Sequence, residues 1–342
     1  MSSNSIIALD AMGGDFGPSE IVPAALAVLK KHTDLNLILV GKENVVLEEL
    51  QNNNATEHKR IKLIHAPEVV EMHEAPSHAL RNKKESSMRL AIEQVRDGHA
   101  SACVSAGNTG ALMATSRFIL KMLPGMDRPA ICTILPGTHG HTHVLDLGAN
   151  VDSSSEQLFQ FAVMGAQLTS AVEHKENPSI ALLNVGEEDI KGNDRVKQAA
   201  TLLAESHLNY IGFVEGTDLY RGEVDVIVCD GFVGNIALKA SEGLAEFLRY
   251  HATKQFRSSY YAKLAAFIAM PVLKALKRKI DPKNYNGASL LGLRGIVIKS
   301  HGSADRASFA TAIEEAIIEV ENNVPEKINT KLEQLLIDRQ SL

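Results

Sequence analysis

A short polar turn, Ser105-Ala-Gly107-Asn108-Thr109-Gly110, separates a predicted buried strand from a predicted amphipathic helix. Small residues in such a turn let backbone N–H groups approach an anion, and the helix that follows adds the partial positive charge of its N-terminus. The turn therefore suits a phosphate group. An ordinary turn with Asn108 or Thr109 as the helix N-cap is the alternative interpretation.

Two further turns have a common form, in which an acid at the end of a strand is followed by glycine and then by asparagine. They are Asp146-Leu-Gly-Ala-Asn150 and Asp230-Gly-Phe232-Val-Gly-Asn235. Either asparagine amide could donate to a phosphate or to a carbonyl oxygen, whereas local turn and cap chemistry would explain each turn taken separately. We expect all three turns at the same edge of the sheet, and this placement favours a binding site.

Charged residues in glycine-rich segments could act on an anion at that edge. Lys191-Gly192 follows another predicted strand, and Arg128 precedes one. Either cation could balance a phosphate charge, although both could equally be surface charges. The segment Asp10-Ala-Met-Gly13-Gly14-Asp15 places two carboxylates at the end of the first strand. Because they would repel a phosphate dianion, we expect them to orient a cation or to accept backbone hydrogen bonds.

Several common catalytic motifs are missing from the sequence. There is no P-loop nucleotide motif and no Gly-x-Ser-x-Gly nucleophile turn. His73 and His78 are five residues apart, instead of the four that a helical zinc motif needs. His139, His141 and His143 alternate, so in a strand they would share one face. We expect these three histidines to face solvent in a hairpin, and we predict no metal site.

Residues 243–280 are predicted to form a long helical tract with an unusual charge pattern. Residues 247–280 include eight basic residues and no Asp or Glu, although the whole chain has a net charge of −6. Residues 264–273 are uncharged and contain a proline. A helical hairpin with an apolar tip and basic flanks would bind an anionic membrane surface or an acidic partner, and dimerisation is the alternative. The candidate contact residues are Lys254, Arg257, Lys263, Phe267, Ile268, Lys274, Lys277 and Arg278.

The elements that carry these residues are short apolar runs rich in β-branched residues, which predict strands buried on both faces of a largely parallel sheet. Helical patterns follow several of the runs, as in α/β proteins. Residues 128–148 predict an antiparallel hairpin with its turn at Pro136-Gly137. We find no low-complexity linker and no internal repeat. We therefore predict one α/β domain over residues 1–342, with a helical insertion at residues 243–285.

Composition excludes several classes of protein. The chain has 342 residues, 45% of them hydrophobic, and its net negative charge argues against nucleic-acid binding. No apolar stretch is long enough for a transmembrane helix, and the first residues lack the pattern of a signal peptide. The three cysteines lie in apolar runs without metal-ligand spacing. We expect them to be reduced thiols in a cytoplasmic protein.

Seven motifs, in order along nearly the whole chain, resemble those of the acyl-carrier-protein:phosphate acyltransferases, the PlsX family. They are ALDAMGGDFGP, SAGNTGALMA, RPAI, LDLGANVD, NVGEE with a later KG, CDGFVGN and LLGLRGIVIKSHG. The resemblance implies a three-layer α/β fold related to the isocitrate and isopropylmalate dehydrogenases and to phosphotransacetylases. It also implies a homodimer, association of the helical tract with the inner face of the cell membrane, and no metal or organic cofactor.

The family's reaction converts acyl-carrier protein thioester and inorganic phosphate into acyl phosphate. That product would serve a membrane-bound glycerol-3-phosphate acyltransferase in phospholipid synthesis. Because phosphate is itself a nucleophile and a thiolate of pKa about 8.5 leaves readily, the chemistry mainly needs positioning and an oxyanion donor. A short-chain phosphotransacetylase-like enzyme and a non-enzymatic membrane scaffold are the alternatives.

The mechanistic hypothesis from sequence distributes these tasks over the polar turns. Ser105, Asn108 and Thr109 would hold phosphate, Arg128 or Lys191 would balance its charge, and Asn150 or Asn235 would face the thioester carbonyl. His301 is a candidate proton acceptor, with a capping role as the alternative. The predicted catalytic residues are Asn108, Lys191, Asn235 and His301. The predicted substrate-binding residues are Asp10, Gly13, Gly14, Asp15, Ser105, Gly107, Thr109, Arg128, Asp146, Asn150, Gly192, Asp230 and Phe232.

Overall fold

A single mixed sheet forms the centre of the described part of the chain. The computed structural model describes residues 5–280 and 285–340. Its strands are β1 (Ile6–Asp10), β2 (Asn36–Gly41), β3 (Ile61–His65), β4 (Ala102–Ser105), β5 (Ala130–Gly137), β6 (Gly140–Leu145), β7 (Ile180–Leu183), β8 (Tyr210–Val214), β9 (Val226–Val228), β10 (Ala288–Leu291) and β11 (Ile296–Lys299). Their order across the sheet is β3-β2-β1-β4-β11-β10-β5-β6-β9-β7-β8.

Three antiparallel pairings divide the strands into two groups of opposite direction. Seven of the ten neighbouring pairs are parallel, and the exceptions are β11–β10, β10–β5 and β5–β6. Consequently β1 to β5 and β11 run one way, whereas β6 to β10 run the other. The largely parallel sheet that the sequence predicts is confirmed, but the carboxyl ends of β4 and β6 lie at opposite edges of it.

Helices cover both faces of the sheet and give three layers. They are α1 (Pro18–Lys31), α2 (Glu43–Asn52), α3 (Pro76–Asn82), α4 (Ser87–Arg96), α5 (Thr109–Leu120), α6 (Ser155–Glu173), α7 (Asp194–Ala204), α8 (Gly231–Arg257), α9 (Tyr260–Ile280), α10 (Arg306–Glu321) and α11 (Val324–Gln340). On one face, Ile21 of α1 and Phe309 of α10 pack against Ile7 of β1. On the other face, α4 and α5 pack against Ala8 and Cys103. The predicted three-layer α/β fold is therefore confirmed.

The β5–β6 hairpin forms as predicted, but its turn lies later than expected. Pro136 and Gly137 are still paired with β6, and the turn comprises Thr138 and His139. Gly137 is needed for close packing, because a Cβ there would lie 2.5 Å from the backbone nitrogen of Gly222. The prediction placed the turn at Pro136-Gly137 because that dipeptide is typical of turns, and this placement was wrong.

Helices α8 and α9 form the predicted protruding hairpin, with two differences. Helix α8 begins at Gly231, well before residue 243, and its first turns pack against the sheet through Ala237 and Leu238. The two helices meet at Ser258 and Ser259, so the uncharged residues 264–273 lie along α9 and not at the tip. Ser259 caps α9 by accepting a hydrogen bond from the N–H of Ala262 at 3.1 Å. Among the described helices, none is both long enough and apolar enough to cross a bilayer.

Candidate active site

Lys299, the last residue of β11, is a buried lysine at the carboxyl edge of the sheet. Parallel pairing with β4 places it beside Ser105. Lys299 is only 8% exposed, and its Nζ donates to the backbone oxygen of Ala106 at 3.3 Å and to that of Ser300. Burial lowers the pKa of Lys299 to about 8, while the negative charge of Asp10 opposes this shift. A buried ammonium group that loses its proton near pH 8 therefore lies at the end of the central strands.

Asp10 and Ser105 form a buried chain of hydrogen bonds next to this lysine. The hydroxyl of Ser105 donates to Asp10 Oδ2 at 2.6 Å and accepts from the N–H of Gly107 at 3.0 Å. Burial raises the pKa of Asp10, and hydrogen bonds from Ser105 and Ser87 oppose that rise. The Ser105 hydroxyl, which the sequence hypothesis assigns to phosphate, is thus engaged with Asp10 inside the protein. It orients the turn.

Glycines allow three loops to meet above these residues. A Cβ at Gly13 would lie 2.7 Å from the backbone nitrogen of Gly107, so only glycine permits that approach. Gly14 has a φ of +83°, and a Cβ there would lie 2.7 Å from the backbone oxygen of Gly302. The N–H of Asp15 donates to the same oxygen at 2.8 Å. The loops after β1, β4 and β11 are therefore held as one unit.

Asn108 has two structural tasks at the start of α5. Its Oδ1 accepts from the N–H of Ala111 at 3.0 Å, which makes it the N-cap. Its Nδ2 donates to the backbone oxygens of Met72 at 2.7 Å and Glu74 at 3.0 Å. The loop before α3 is thereby anchored beside the crevice. Thr109 is the first residue of α5 and is exposed.

His301 lies on the loop after β11, close to charges from α8. Its Nδ1 accepts from the N–H of Ser303 at 3.2 Å, and its own N–H donates to Asn286 Oδ1 at 2.9 Å. Burial lowers the pKa of His301, and the charges of Glu242 and Lys239 also act on it. At neutral pH the ring is therefore neutral. Because Nδ1 is an acceptor, Nε2 carries the hydrogen.

The aspartates of the other two turns support the fold from within. Asp146 accepts from three backbone N–H groups and from the amide of Asn150. That amide also donates to the backbone oxygen of Pro129 at 2.9 Å, so Asn150 points into the protein. Burial raises the pKa of Asp146. Asp230 is the N-cap of α8 and accepts from the N–H of Phe232 at 2.9 Å. Local turn and cap chemistry accounts for these three residues.

Comparison with known proteins identifies the family. Residues 6–327 match the family described as fatty acid synthesis protein. The chain is 58% identical over 333 residues to the phosphate acyltransferase of Methylococcus capsulatus, with 97% of this chain and 98% of the relative covered. It is 56% identical over 337 residues to that of Halorhodospira halophila, with 98% of each covered. The chain belongs to the phosphate acyltransferase family. The resemblance found in the sequence motifs is confirmed, and these relatives are enzymes.

Solved structures show that this chain shares a fold with phosphotransacetylases. A phosphotransacetylase from Streptococcus pyogenes superposes with a TM-score of 0.64 at 17% identity, covering 93% of this chain and 94% of its own. A branched-chain phosphotransacylase from Enterococcus faecalis gives 0.58 at 14% identity, covering 92% of this chain and 99% of its own. The resemblance predicts a fold related to that of the phosphotransacetylases, and this prediction is confirmed.

The remaining predicted residues do not share an edge of the sheet with Ser105. Arg128 precedes β5 and Lys191 follows β7, and both are exposed. Asn235 is also exposed, and it lies against Gly148 in the turn after β6. All three lie at the edge of the sheet opposite the carboxyl end of β4. The expectation that the three polar turns meet at one edge was wrong, because the β5–β6 hairpin reverses β6 and the strands parallel to it. Phe232, another predicted substrate-binding residue, is exposed at this opposite edge. Gly192, also predicted to bind substrate, has a φ of +89°, a backbone conformation that favours glycine.

Helix α8 connects the two edges. The helix begins at Gly231, directly after its N-cap Asp230, and the charge of Lys239, about two turns further on, acts on Lys299 and His301. Lys239 forms an ion pair with Glu242 at 2.8 Å. A single helix thus contributes both to the turn after β9 and to the wall of the Lys299 crevice.

The basic surface of the helical hairpin is exposed, as the sequence predicts. Phe267 is 76% exposed and Ile268 is 71% exposed, and Lys263 Nζ lies 5.5 Å from the ring centre of Tyr260. Lys254, Arg257 and Lys274 are exposed as well. The side chains of Lys277 and Arg278 lie outside the part that the structure describes.

Proposed function

We propose that the protein transfers the acyl group of an acyl-carrier protein thioester to inorganic phosphate, giving acyl phosphate and the free thiol of the carrier. Membership of the phosphate acyltransferase family supports this reaction. The observation that carries its assignment to a site is the buried Lys299 ammonium at the end of β4 and β11. Phosphate is the substrate that such a cation, surrounded by glycine-rich loops, can hold.

Lys299 is the proposed phosphate ligand. Its ammonium group has three N–H donors, and contacts within the described residues use two, to Ala106 and Ser300. The third is available to a phosphate oxygen. Lys239 adds positive charge, while the hydrogen bonds around Asp10 keep that carboxyl turned towards Ser105. We assign to these two lysines the charge-balancing role that the sequence hypothesis gives to Arg128 or Lys191.

In the proposed reaction a phosphate oxygen attacks the thioester carbon. A C–O bond forms, the carbonyl becomes a tetrahedral oxyanion, and the C–S bond then breaks with its electron pair leaving on sulfur. Because His301 carries its hydrogen on Nε2, we assign to it the role of donor to the oxyanion. This reverses the sequence hypothesis of a proton acceptor. The thiolate is a stable leaving group and takes its proton from solvent.

The partners follow from the helical hairpin. Its exposed basic and apolar side chains support binding of an acidic carrier protein and peripheral attachment to the inner face of the cell membrane. Apolar residues of α8 such as Phe247 and Leu248 are exposed in the single chain and support a homodimer. We propose a cytoplasmic enzyme that passes acyl phosphate to a membrane-bound glycerol-3-phosphate acyltransferase, with residues 1–342 as one domain.

The deciding experiment incubates purified protein with palmitoyl-acyl-carrier protein and inorganic phosphate. Thiol release is followed, and acyl phosphate is trapped as the hydroxamate. Phosphate-dependent formation of both products supports the proposal, whereas thiol release without hydroxamate would show hydrolysis and contradict it. A parallel reaction with acetyl-CoA tests the short-chain alternative. Absence of reaction with both donors would leave the scaffold alternative.

A further inference from the structure

Three side chains converge on one point behind the β5–β6 hairpin, away from the crevice of Lys299. His141 and His143 lie on β6, and Glu173 is the last residue of α6. The Nε2 atoms of both histidines approach the same oxygen, Glu173 Oε1, at 2.7 and 2.6 Å. Among the described residues these three form a cluster whose donor atoms all lie within 4.8 Å of one another.

Burial distinguishes this cluster from a surface ion pair. The side chain of His143 is 1% exposed, whereas those of His141 and Glu173 are 40% and 28% exposed. The expectation that the hairpin histidines all face solvent was wrong for His143, because alternation in β6 turns it, together with His141, towards α6. One face of the cluster is therefore inside the protein and the other is open to water.

We propose that His141, His143 and Glu173 form a binding site for Zn²⁺. Two imidazoles and one carboxylate, with water in the fourth position, are an established donor set for this ion. Donors around tetrahedral zinc are about 3.3 Å apart when the bonds are about 2.0–2.1 Å long. Since the three donors already meet within 4.8 Å, small side-chain shifts would seat the ion in place of the two hydrogen bonds.

A neighbouring sulfur supports the orientation of the buried ligand. Cys132 Sγ lies 4.0 Å from His143 Nδ1. When Nε2 of His143 binds a metal ion, its Nδ1 carries the hydrogen and points to that sulfur. Such outer partners fix the ring and its tautomer. Zinc bound here would fasten the β5–β6 hairpin to the end of α6.

The test uses the full-length chain without an affinity tag, freed of metal by EDTA and dialysis. It is titrated with Co²⁺, whose visible absorption reports tetrahedral coordination, and then with Zn²⁺ in competition. We expect saturation at one ion per chain. Glu173→Gln and His141→Asn should each weaken binding by more than roughly 100-fold, the upper range seen when only an outer partner is lost.

His139→Asn is the matched control, because His139 lies on the same hairpin and pairs with Glu223 at 3.7 Å instead of Glu173. This variant should bind Co²⁺ as the wild type does. Zn²⁺ should raise the melting temperature of the wild type and of His139→Asn by at least about 2–4 °C, and should not raise that of Glu173→Gln. His141 is half exposed, so His141→Asn gives a folded variant should Glu173→Gln unfold. Absence of saturable binding, or equal binding by His141→Asn, would overturn the proposal in favour of a simple ion pair.

Discussion

The decisive residue of the candidate site, Lys299, is the one that sequence reasoning overlooked. It ends an apolar strand, where a lysine usually extends into solvent. Its burial depends on the partners that β11 acquires, with β4 on one side and β10 on the other. No local pattern in the sequence contains that information. A lysine next to a serine-glycine turn becomes recognisable only when the pairing of these distant segments is known.

Replacing Lys299 should separate activity from stability. Lys299→Met should lower kcat/KM for phosphate by roughly 100-fold or more, since a charged donor at the reacting centre is lost. Stability should change little, because the relief from burying a charge is offset by the loss of the hydrogen bonds to Ala106 and Ser300. Steady-state kinetics and urea unfolding measure the two effects. Lys62→Met, on the exposed side of β3, is the control and should behave as wild type. Near-normal phosphate kinetics in Lys299→Met would remove this residue from the site.

The lowered pKa of Lys299 also predicts the pH dependence of phosphate use. The ammonium form binds phosphate, so binding is intact below the folded-state pKa of about 8 and is lost as pH rises through it. We expect kcat/KM for phosphate to fall with an alkaline limb near pH 8. Inorganic phosphate is already a dianion there and does not contribute to the limb. A profile that stays level to about pH 9.5 would contradict the role of Lys299.

At the scale of elements, the sequence predicted local structure well and long-range direction poorly. The strands that it identified by apolar β-branched runs are present, and so is the β5–β6 hairpin. A strand has the same residue pattern whichever way it runs. Asp146 and Asp230 lie at the edge of the sheet opposite Ser105 because β5 pairs antiparallel with both β10 and β6. The residue pattern of a single strand does not show this pairing. The same limit explains why Arg128 and Lys191 appeared to belong to the phosphate turn.

Asn108 links α5 to the loop before α3, and its two tasks can be separated. Asn108→Asp keeps an acceptor for the cap but loses the donor to Met72 and Glu74. We expect it to lose about 1 kcal/mol of stability, because the hydrogen bonds to the loop are lost, and to lower turnover about tenfold through a looser loop. Asn108→Ala should lose about 1 kcal/mol of stability in addition. Steady-state kinetics and thermal melting report the two effects.

Ser154→Ala removes the cap of a different helix, α6, and serves as the control. It should lower stability by a similar amount and leave turnover unchanged. Turnover of Asn108→Asp equal to wild type would show that Asn108 acts on stability alone.

At the scale of the whole molecule, charge is distributed unevenly. The chain is net acidic, yet residues 247–280 carry only basic charges on a hairpin that projects from the sheet. The sequence predicted this basic segment because the charge of a segment can be counted without knowing how the strands pair. It could not place the turn at Ser258 and Ser259, where the Ser258 hydroxyl donates to the backbone oxygen of Gln255 at the end of α8 and Ser259 caps α9, and so it assigned the apolar residues to the tip. In the structure they form nearly three turns in the middle of α9, between the basic residues Lys263 and Lys274, so that apolar and basic surface lie next to each other along the hairpin.

Removing charge from this hairpin should therefore weaken two kinds of binding. A triple variant with Lys254, Arg257 and Lys263 changed to Ser should bind anionic phospholipid vesicles about 100-fold less tightly, at about 1 kcal/mol per charge near the surface. Its affinity for acyl-carrier protein should fall as well and should depend less on salt than that of the wild type. Vesicle sedimentation and calorimetry at two ionic strengths measure these changes.

Changing Lys59, Lys62 and Lys327 to Ser removes the same charge elsewhere on the surface and should leave both affinities close to wild type. Equal losses in the two triple variants would mean that net charge, and not the hairpin, governs binding.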